Sequence, residues 1–413
     1  MARFISNQRN YEPPDRPIVG ICFDGSGTEY FDAALARGLM PNLQSISVSG
    51  YRGLARGQMP SFTNVNNTSI VTGVPPSIHG IGGNYFYEAV SGEEVMTNSA
   101  KYLRVETIFP AAQRAGRKVA VVTAKDKLRD IFASGLIEIG GVAFSAEKVS
   151  QAIMATHGVE EVEALVGPNP NIYSAEASIY VLRAGVELIG AGRADFLYLS
   201  TTDFMQHKFA PERLEALNFY AALDDQIGRL LALGAIVGIT ADHGMNAKQK
   251  ADGSPNVIYL ESTLANEFGA GFRVILPITD PHVIHHGGLG SFAQVHIPAS
   301  GKMALGRIIE FVRQLPGITE VLEKSTAARL MELPPDRMGD FVVCSGRDVV
   351  IGRTPEWHDL RLIEEGLRSH GGRYEEMVPL VISEPLKAEY VIKAQADPRN
   401  FDLFDFICNG TTI

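Results

Sequence analysis

What the chain lacks narrows its class before any motif is read. Cysteine is scarce: Cys22, Cys344 and Cys408 are odd in number, far apart and without metal-ligand spacing. That argues against a disulfide framework and against a thiolate zinc site, and it suits a reducing cytoplasm. Basic runs are missing too. Lys and Arg number 37 against 47 Asp and Glu, a formal balance of −10, and no stretch could neutralise a track of phosphates, so nucleic acid is not an expected partner. No apolar segment approaches the roughly 20 residues that span a bilayer. The opening MARFISNQRNYEPPDRP also has no apolar run of secretory length. The expectation is a cytoplasmic protein with no membrane partner; an exported enzyme with its signal already trimmed would look the same.

What is present has the texture of an α/β protein. Short apolar runs stop at polar residues and give way to helical periodicity: Pro17–Phe23 before Asp24, Lys118–Val122 before Thr123, Asp195–Leu199 before Ser200, Ala235–Ile239 before Thr240, and Val378–Ile382. They read as buried parallel strands, with helices predicted near 102–115, 146–156, 174–190 and 211–233. Such alternation implies a mostly parallel sheet between helices, with ligands gathered at the carboxyl ends of the strands. The 413 residues exceed what one core usually serves. Between about 255 and 360 shorter alternating segments appear (Phe272–Leu276, Ala293–Ile297, Phe341–Val343). The expected organisation is a catalytic core of residues 1–254 and 361–413 with an α+β cap inserted at 255–360. The tail Asn400–Cys408 reads as a closing amphipathic helix.

Chemistry-bearing residues follow these strand ends. Asp203-x-x-x-His207 places a carboxylate and an imidazole on one face of a helical turn, although a surface pair has the same spacing. Thr240-Ala-Asp242-His243-Gly244 puts two more candidates in a loop whose glycine permits a tight turn; taken alone it is also an ordinary turn with a capping aspartate. Asp24 follows the first strand and could equally cap the next helix. His370, in Ser-His-Gly-Gly, stands just before the last strand and by itself reads as a packed histidine. Together, three aspartates and three histidines are the oxygen and nitrogen donors that two zinc ions need, with positions left open for water or substrate. Two ions roughly 4 Å apart suit in-line displacement. Thr63, in Pro-Ser-Phe-Thr-Asn-Val-Asn-Asn, supplies a hydroxyl which, at a helix N-terminus near zinc, would lose its proton readily and meet backbone N–H groups that favour an anion.

The order of these motifs (Thr63 ten residues before the glycine of Ser-Ile-Val-Thr-Gly73, then His79-Gly-Ile, Asp203-x3-His207, Asp242-His-Gly-Met and a late His370-Gly) resembles the alkaline phosphatase superfamily, with the nucleotide pyrophosphatase/phosphodiesterase branch as the nearest large relative. The resemblance implies an alkaline phosphatase-like core, two Zn2+ ions, one held by Asp203, His207 and His370 and the other by Asp24, Asp242 and His243, with Thr63 as nucleophile. Asn84 matches an asparagine that donates to a phosphoryl oxygen. The segment Val121-Val-Thr-Ala-Lys125-Asp-Lys127-Leu-Arg129 is similar to the phosphonoacetate-cleaving group of the superfamily, where lysines on this segment grip the substrate carboxylate; by composition alone it is a solvated helix start. In an extended loop Lys125 and Lys127 would face the same way. The implied activity is hydrolysis of phosphonoacetate, a small-molecule partner, to acetate and phosphate; the analogy also admits a homodimer. The competing reading is a phosphodiesterase with the same metals and an aromatic slot for a base, for which Tyr85, Phe86 and Tyr87 are the candidates. A metal-stabilised binding protein that has lost catalysis is a third. The denser run Pro281-His282-Val-Ile-His285-His286 is an alternative source of the third ligand assigned to His370.

Overall fold

The computed structural model describes residues 3–412 apart from 89–90, 279–285, 300–303, 362 and 364–365. Its centre is a seven-stranded sheet. The strands are β1 (Ile18–Cys22), β2 (Tyr51–Arg56), β3 (Val119–Thr123), β4 (Val142–Ser145), β5 (Phe196–Ser200), β6 (Ile236–Thr240) and β7 (Met377–Ile382), in spatial order β2-β7-β6-β1-β5-β3-β4. Strands β6, β1, β5, β3 and β4 run parallel to one another. Every residue of these five is buried, as strands covered on both faces require. One face carries the helices Ala175–Gly190 and Leu214–Ala232, and the other carries Ile108–Arg114 and the terminal helix Leu403–Asn409.

Two expectations need correction. Val378–Ile382 is a core strand, but β7 runs antiparallel to both β6 and β2; an apolar run reports burial on two faces, not direction. The predicted helix 146–156 is instead two short pieces, Val149–Gln151 and Met154–His157, preceded by β4, which the apolar pattern did not single out. The helix predicted at 102–115 begins later, at Ile108. The tail is helical, yet it is buried on most of its surface rather than on one stripe. Phe404 and Ile407 lie against Gly20 of β1 and Gly238 of β6, where any Cβ would come within 2.7 and 2.5 Å of them.

Beyond β6, the strands Arg273–Ile275, Phe292–His296, Phe341–Ser345 and Ile318–Glu323 pair antiparallel in that order. With the helices Leu260–Phe268, Leu305–Arg313 and Lys324–Leu330 they enclose a separate apolar cluster, which also takes in Met59, Phe62 and Val65 from the edge of the central unit.

Candidate active site

Register places the ends of the parallel strands in one row. Cys22 pairs with Thr240 on one side and Ser200 on the other, and Thr123 pairs with Ser200 and Ser145. Two residues past that row stand Asp24, Asp242, Lys125 and Glu147, and three past it stands Asp203. One sheet edge thus delivers carboxylates and a cation to a single crevice, the usual ligand position of such sheets.

Six side chains form two buried triplets. The potential ligand atoms of Asp203, His207 and His370 lie within 4.8 Å of one another, as do those of Asp24, Asp242 and His243. Asp203 precedes the short helix Phe204–Lys208, so His207 returns one turn later with Nε2 3.0 Å from Asp203 Oδ2. His370 Nε2 lies 3.8 Å from the same oxygen. Each histidine turns Nδ1 to a backbone carbonyl: His207 to Arg368 at 2.8 Å, His243 to Gly244 at 2.9 Å and His370 to Ser61 at 2.8 Å. A carbonyl only accepts, so Nδ1 carries the proton and Nε2 presents its lone pair to the centre. That is the usual arrangement behind a metal-ligating imidazole. Gly371, at φ +113, keeps the His370 loop close to Phe62, whose ring atom a Cβ there would approach to 2.4 Å.

A metal fits these residues. Asp24 is fully buried, and neither of its carboxylate oxygens accepts a hydrogen bond; a buried carboxylate in that condition calls for a cation. Charge is crowded accordingly. Burial and the negative Asp24 push the Asp242 carboxyl up. Burial would lower His243, but Asp242 and Asp24 outweigh it and raise the imidazole to about 9. Burial would likewise raise Asp203, yet Lys125 and His207 hold it well below the usual carboxylate range. His370, buried beside His243 and His207, is pushed well down.

Thr63 is the first residue of the helix α1 (Thr63–Thr72), with Oγ1 3.4 Å from His243 Nε2. The hydroxyl therefore sits at the Asp24 triplet and at a helix N-terminus together. Asn84 braces this end: its Oδ1 accepts the N–H of Asn64 at 3.1 Å, while its Nδ2 donates to the carbonyl of Ile278. Lys125 and Lys127 do not share an extended loop. Lys125 precedes the helix α2 (Asp126–Phe132) and Lys127 lies in its first turn, so alternation along an extended chain is not what places them. Lys125 Nζ reaches both triplets, 3.0 Å from Asp203 Oδ1 and 3.8 Å from Asp24 Oδ2.

A cavity of about 360 Å³ opens above these groups, walled by Thr63, Asn84, Lys125, Lys127, Asp203 and His370 among others. The cavity is also lined by His286, by sequence an alternative ligand source, and by four residues that sequence reasoning passed over: Glu147, Lys148, Ile172 and Tyr173. Glu147 stands two residues past β4, and recognising that strand would have found it. Of the histidine run, His282 and His285 lie outside the described residues. The His286 ring lies 4.9 Å from the His207 ring, tilted 35° to it, and its Nδ1 accepts the N–H of Gly288, whereas His370 joins the triplet. Tyr85, Phe86 and Tyr87 do not line the cavity. Phe86 packs against Tyr102 and Arg337, and Tyr87 against His296 and Arg273, so the expected aromatic slot is not formed by them.

Asn67, also missed, ties the parts together. Its Oδ1 accepts from Tyr198 and Ser200, and its Nδ2 donates to Asp242 Oδ2 at 2.9 Å and to the Thr63 carbonyl at 3.2 Å.

An alkaline phosphatase-like α/β sheet with two buried Asp/His triplets and a helix-terminal hydroxyl defines a metal-dependent hydrolase. The chain belongs to the type I phosphodiesterase / nucleotide pyrophosphatase family, which it matches over residues 18–372. It is similar to crystal structures of phosphonoacetate hydrolase from Sinorhizobium meliloti 1021 in complex with phosphonoformate and with phosphonoacetate. Identity is 45%, 98% of each chain is covered and the TM-score is 0.92. Murine ectonucleotide pyrophosphatase / phosphodiesterase 5 shares the fold, with 15% identity, 96% of each chain covered and a TM-score of 0.64.

Proposed function

We propose that this enzyme hydrolyses the carbon–phosphorus bond of phosphonoacetate to acetate and phosphate, with Thr63 as the nucleophile. The carrying observation is one cavity walled by Thr63, two lysines and Asp203 and His370 of one triplet, with Thr63 Oγ1 3.4 Å from His243 of the other, in a chain 45% identical to a phosphonoacetate hydrolase over 98% of its length. Asp203, His207 and His370 would hold one metal ion, and Asp24, Asp242 and His243 the other. Zinc is our assignment, because mixed carboxylate and imidazole donors suit it. When bound, such ions polarise phosphoryl oxygens and favour ionisation of an adjacent hydroxyl.

Thr63 gives up its proton as Oγ1 forms the bond to phosphorus and the C–P bond breaks; the electron pair leaves on the carboxymethyl carbon, which takes a proton from water, and the hydroxide so formed takes up the proton that Thr63 released. Water then attacks the phosphothreonine, phosphate departs and Thr63 recovers its proton. The N–H groups opening α1 favour negative charge developing on the phosphoryl oxygens, and the remaining amide hydrogen of Asn84 can serve the same group. Carbanion charge spreads into the carboxylate. Lys125 and Lys127 stabilise it there, with the electrostatics that a preorganised site supplies.

We read residues 255–360 as a cap inserted into the core of 1–254 and 361–413, on the strength of its own sheet and apolar cluster. The cytoplasm and a homodimer, which sedimentation would test, complete the reading. Among the described residues no helix is long and apolar enough to cross a membrane, and all three cysteines are free and buried.

The test is phosphate release from phosphonoacetate beside turnover of a nitrophenyl phosphodiester, in zinc-loaded enzyme and in a Lys125→Ala, Lys127→Ala variant. Phosphate release that collapses in the variant is the expected result. Diester turnover alone, indifferent to the lysines, would reassign the substrate.

A further inference from the structure

The molecule contains a buried ion pair outside the site just described. Lys248 and Glu375 are both buried, with Nζ 2.9 Å from Oε1 and neither side chain exposed. Removing two charges from water is costly, and well-packed apolar residues often serve stability as well or better. Their place in the fold explains what stability alone does not.

Glu375 touches both ligand-bearing loops. Its backbone carbonyl accepts the N–H of Gly244, the residue after His243, at 2.8 Å. Its Oε2 accepts the N–H of Gly372, two residues after His370, at 3.0 Å. Its Oε1 receives Asn246 Nδ2 at 2.6 Å as well as Lys248 Nζ. Lys248 in turn donates to the carbonyl of Arg347 at 2.7 Å, beside the strand Phe341–Ser345. A short antiparallel ladder, Asn246 with Ser369 and Ala247 with Arg368, joins the same two segments just before His370. The Arg368 carbonyl at the end of that ladder is the one that receives His207 Nδ1–H.

We infer that Glu375, with its charge balanced by Lys248, is a positioning residue for metal binding: it clamps the His370 loop to the His243 loop and so sets the spacing of the two triplets. The inference rests on the metal assignment above. Oε2 holds the His370 loop at Gly372 and Oε1 holds Asn246 and Lys248 on the His243 side, but the His243 loop keeps in addition the Gly244 bond to a backbone carbonyl, which no substitution removes. Loss of the carboxylate therefore weakens the Asp203–His207–His370 site first.

The experiment is a chelator-competition titration of zinc on the full-length protein, with thermal unfolding measured alongside, for wild type, His370→Ala, Glu375→Gln and a Lys248→Met, Glu375→Met double variant. In Glu375→Gln one of the two zinc ions should bind about 10- to 100-fold more weakly, the usual effect of losing a partner behind a ligand. The double variant removes the unpaired charge and should recover unfolding temperature without recovering that zinc, since nothing then accepts the Gly372 N–H. Should Glu375→Gln not fold, the double variant carries the test alone. Wild-type zinc affinity in Glu375→Gln, or recovery of both stability and zinc in the double variant, overturns the inference and leaves the pair a structural element. Failure of the metal assignment is visible separately, as a His370→Ala protein that still binds both ions like wild type.

Discussion

At the scale of single residues, the histidines divide by what faces Nδ1. His207, His243 and His370 each turn Nδ1 to a carbonyl and leave Nε2 for a metal. His79 does the reverse: its Nδ1 accepts the N–H of Ile81 at 3.1 Å, so Nε2 carries the proton and donates to Ser69 Oγ at 2.8 Å. The His-Gly-Ile motif is thus a brace on α1. Burial, with Arg104 and Arg337 nearby, lowers His79 to about 3. The folded form stays neutral while the unfolded chain protonates near the ordinary value of about 6.5. Stability is therefore fully present above about 6.5 and falls as pH drops toward 3, at up to about 1.4 kcal/mol per unit. Urea midpoints at pH 7, 6 and 5 should fall more steeply for wild type than for His79→Gln; parallel curves would show that His79 does not contribute. Thr63→Ala should lower kcat by about a thousandfold or more, as loss of a nucleophile does, while leaving zinc content intact. A small loss in single-turnover kinetics would remove Thr63 from that role.

Helix α1 is the element on which the site depends, and it is unusual. All ten of its residues are buried, among them Asn64, Asn66, Asn67, Thr68, Ser69 and Thr72. Such a helix has no apolar stripe, so periodicity could show only a polar segment. What holds it is hydrogen bonding: Asn66 exchanges bonds with the backbone of Gln58, Asn67 joins Tyr198, Ser200 and Asp242, and Ser69 meets His79. Asn67→Ala should then cost about 10- to 100-fold in affinity for the metal bound by Asp242, read by chelator competition; undiminished affinity would show that Asp242 needs no such support. The helix ends at Gly73, φ +68, where a Cβ would come 2.5 Å from the Tyr11 hydroxyl. Gly73→Ala should destabilise by about 1–2 kcal/mol from the left-handed backbone alone, with the contact adding to it, and a urea midpoint equal to wild type would contradict this.

Across the whole molecule, the site gathers residues from distant parts of the chain, from Asp24 to His370, and its buried carboxylates repel one another unless a cation lies between them. Metal binding should therefore stabilise the entire fold. A site at a free metal concentration 100 times its dissociation constant contributes about 2.7 kcal/mol. Chelator treatment should lower the unfolding temperature, and restored zinc should raise it again in a concentration-dependent way. A temperature indifferent to both would argue against metal held by these triplets.

Much of this was legible in the chain itself. The apolar runs ending at Cys22, Thr123, Ser200 and Thr240 declared a sheet, and the polar residues just past them declared a site, because a parallel strand buried on both faces leaves both marks locally. Direction was not legible at β7, nor was β4 recognised, since pairing depends on partners far away in sequence. Neither were the neighbours of the site. Glu147 and Tyr173 reach the cavity, and the aromatic run from Tyr85 to Tyr87 stays out of it, only through the docking of segments remote in sequence. The sequence by itself determined which donors exist and which strand ends carry them. The tertiary structure alone decided that Lys125 bridges both triplets and that Glu375 ties His243 to His370, because distances of a few ångströms between residues remote in sequence are set by packing, for which no local pattern is a record.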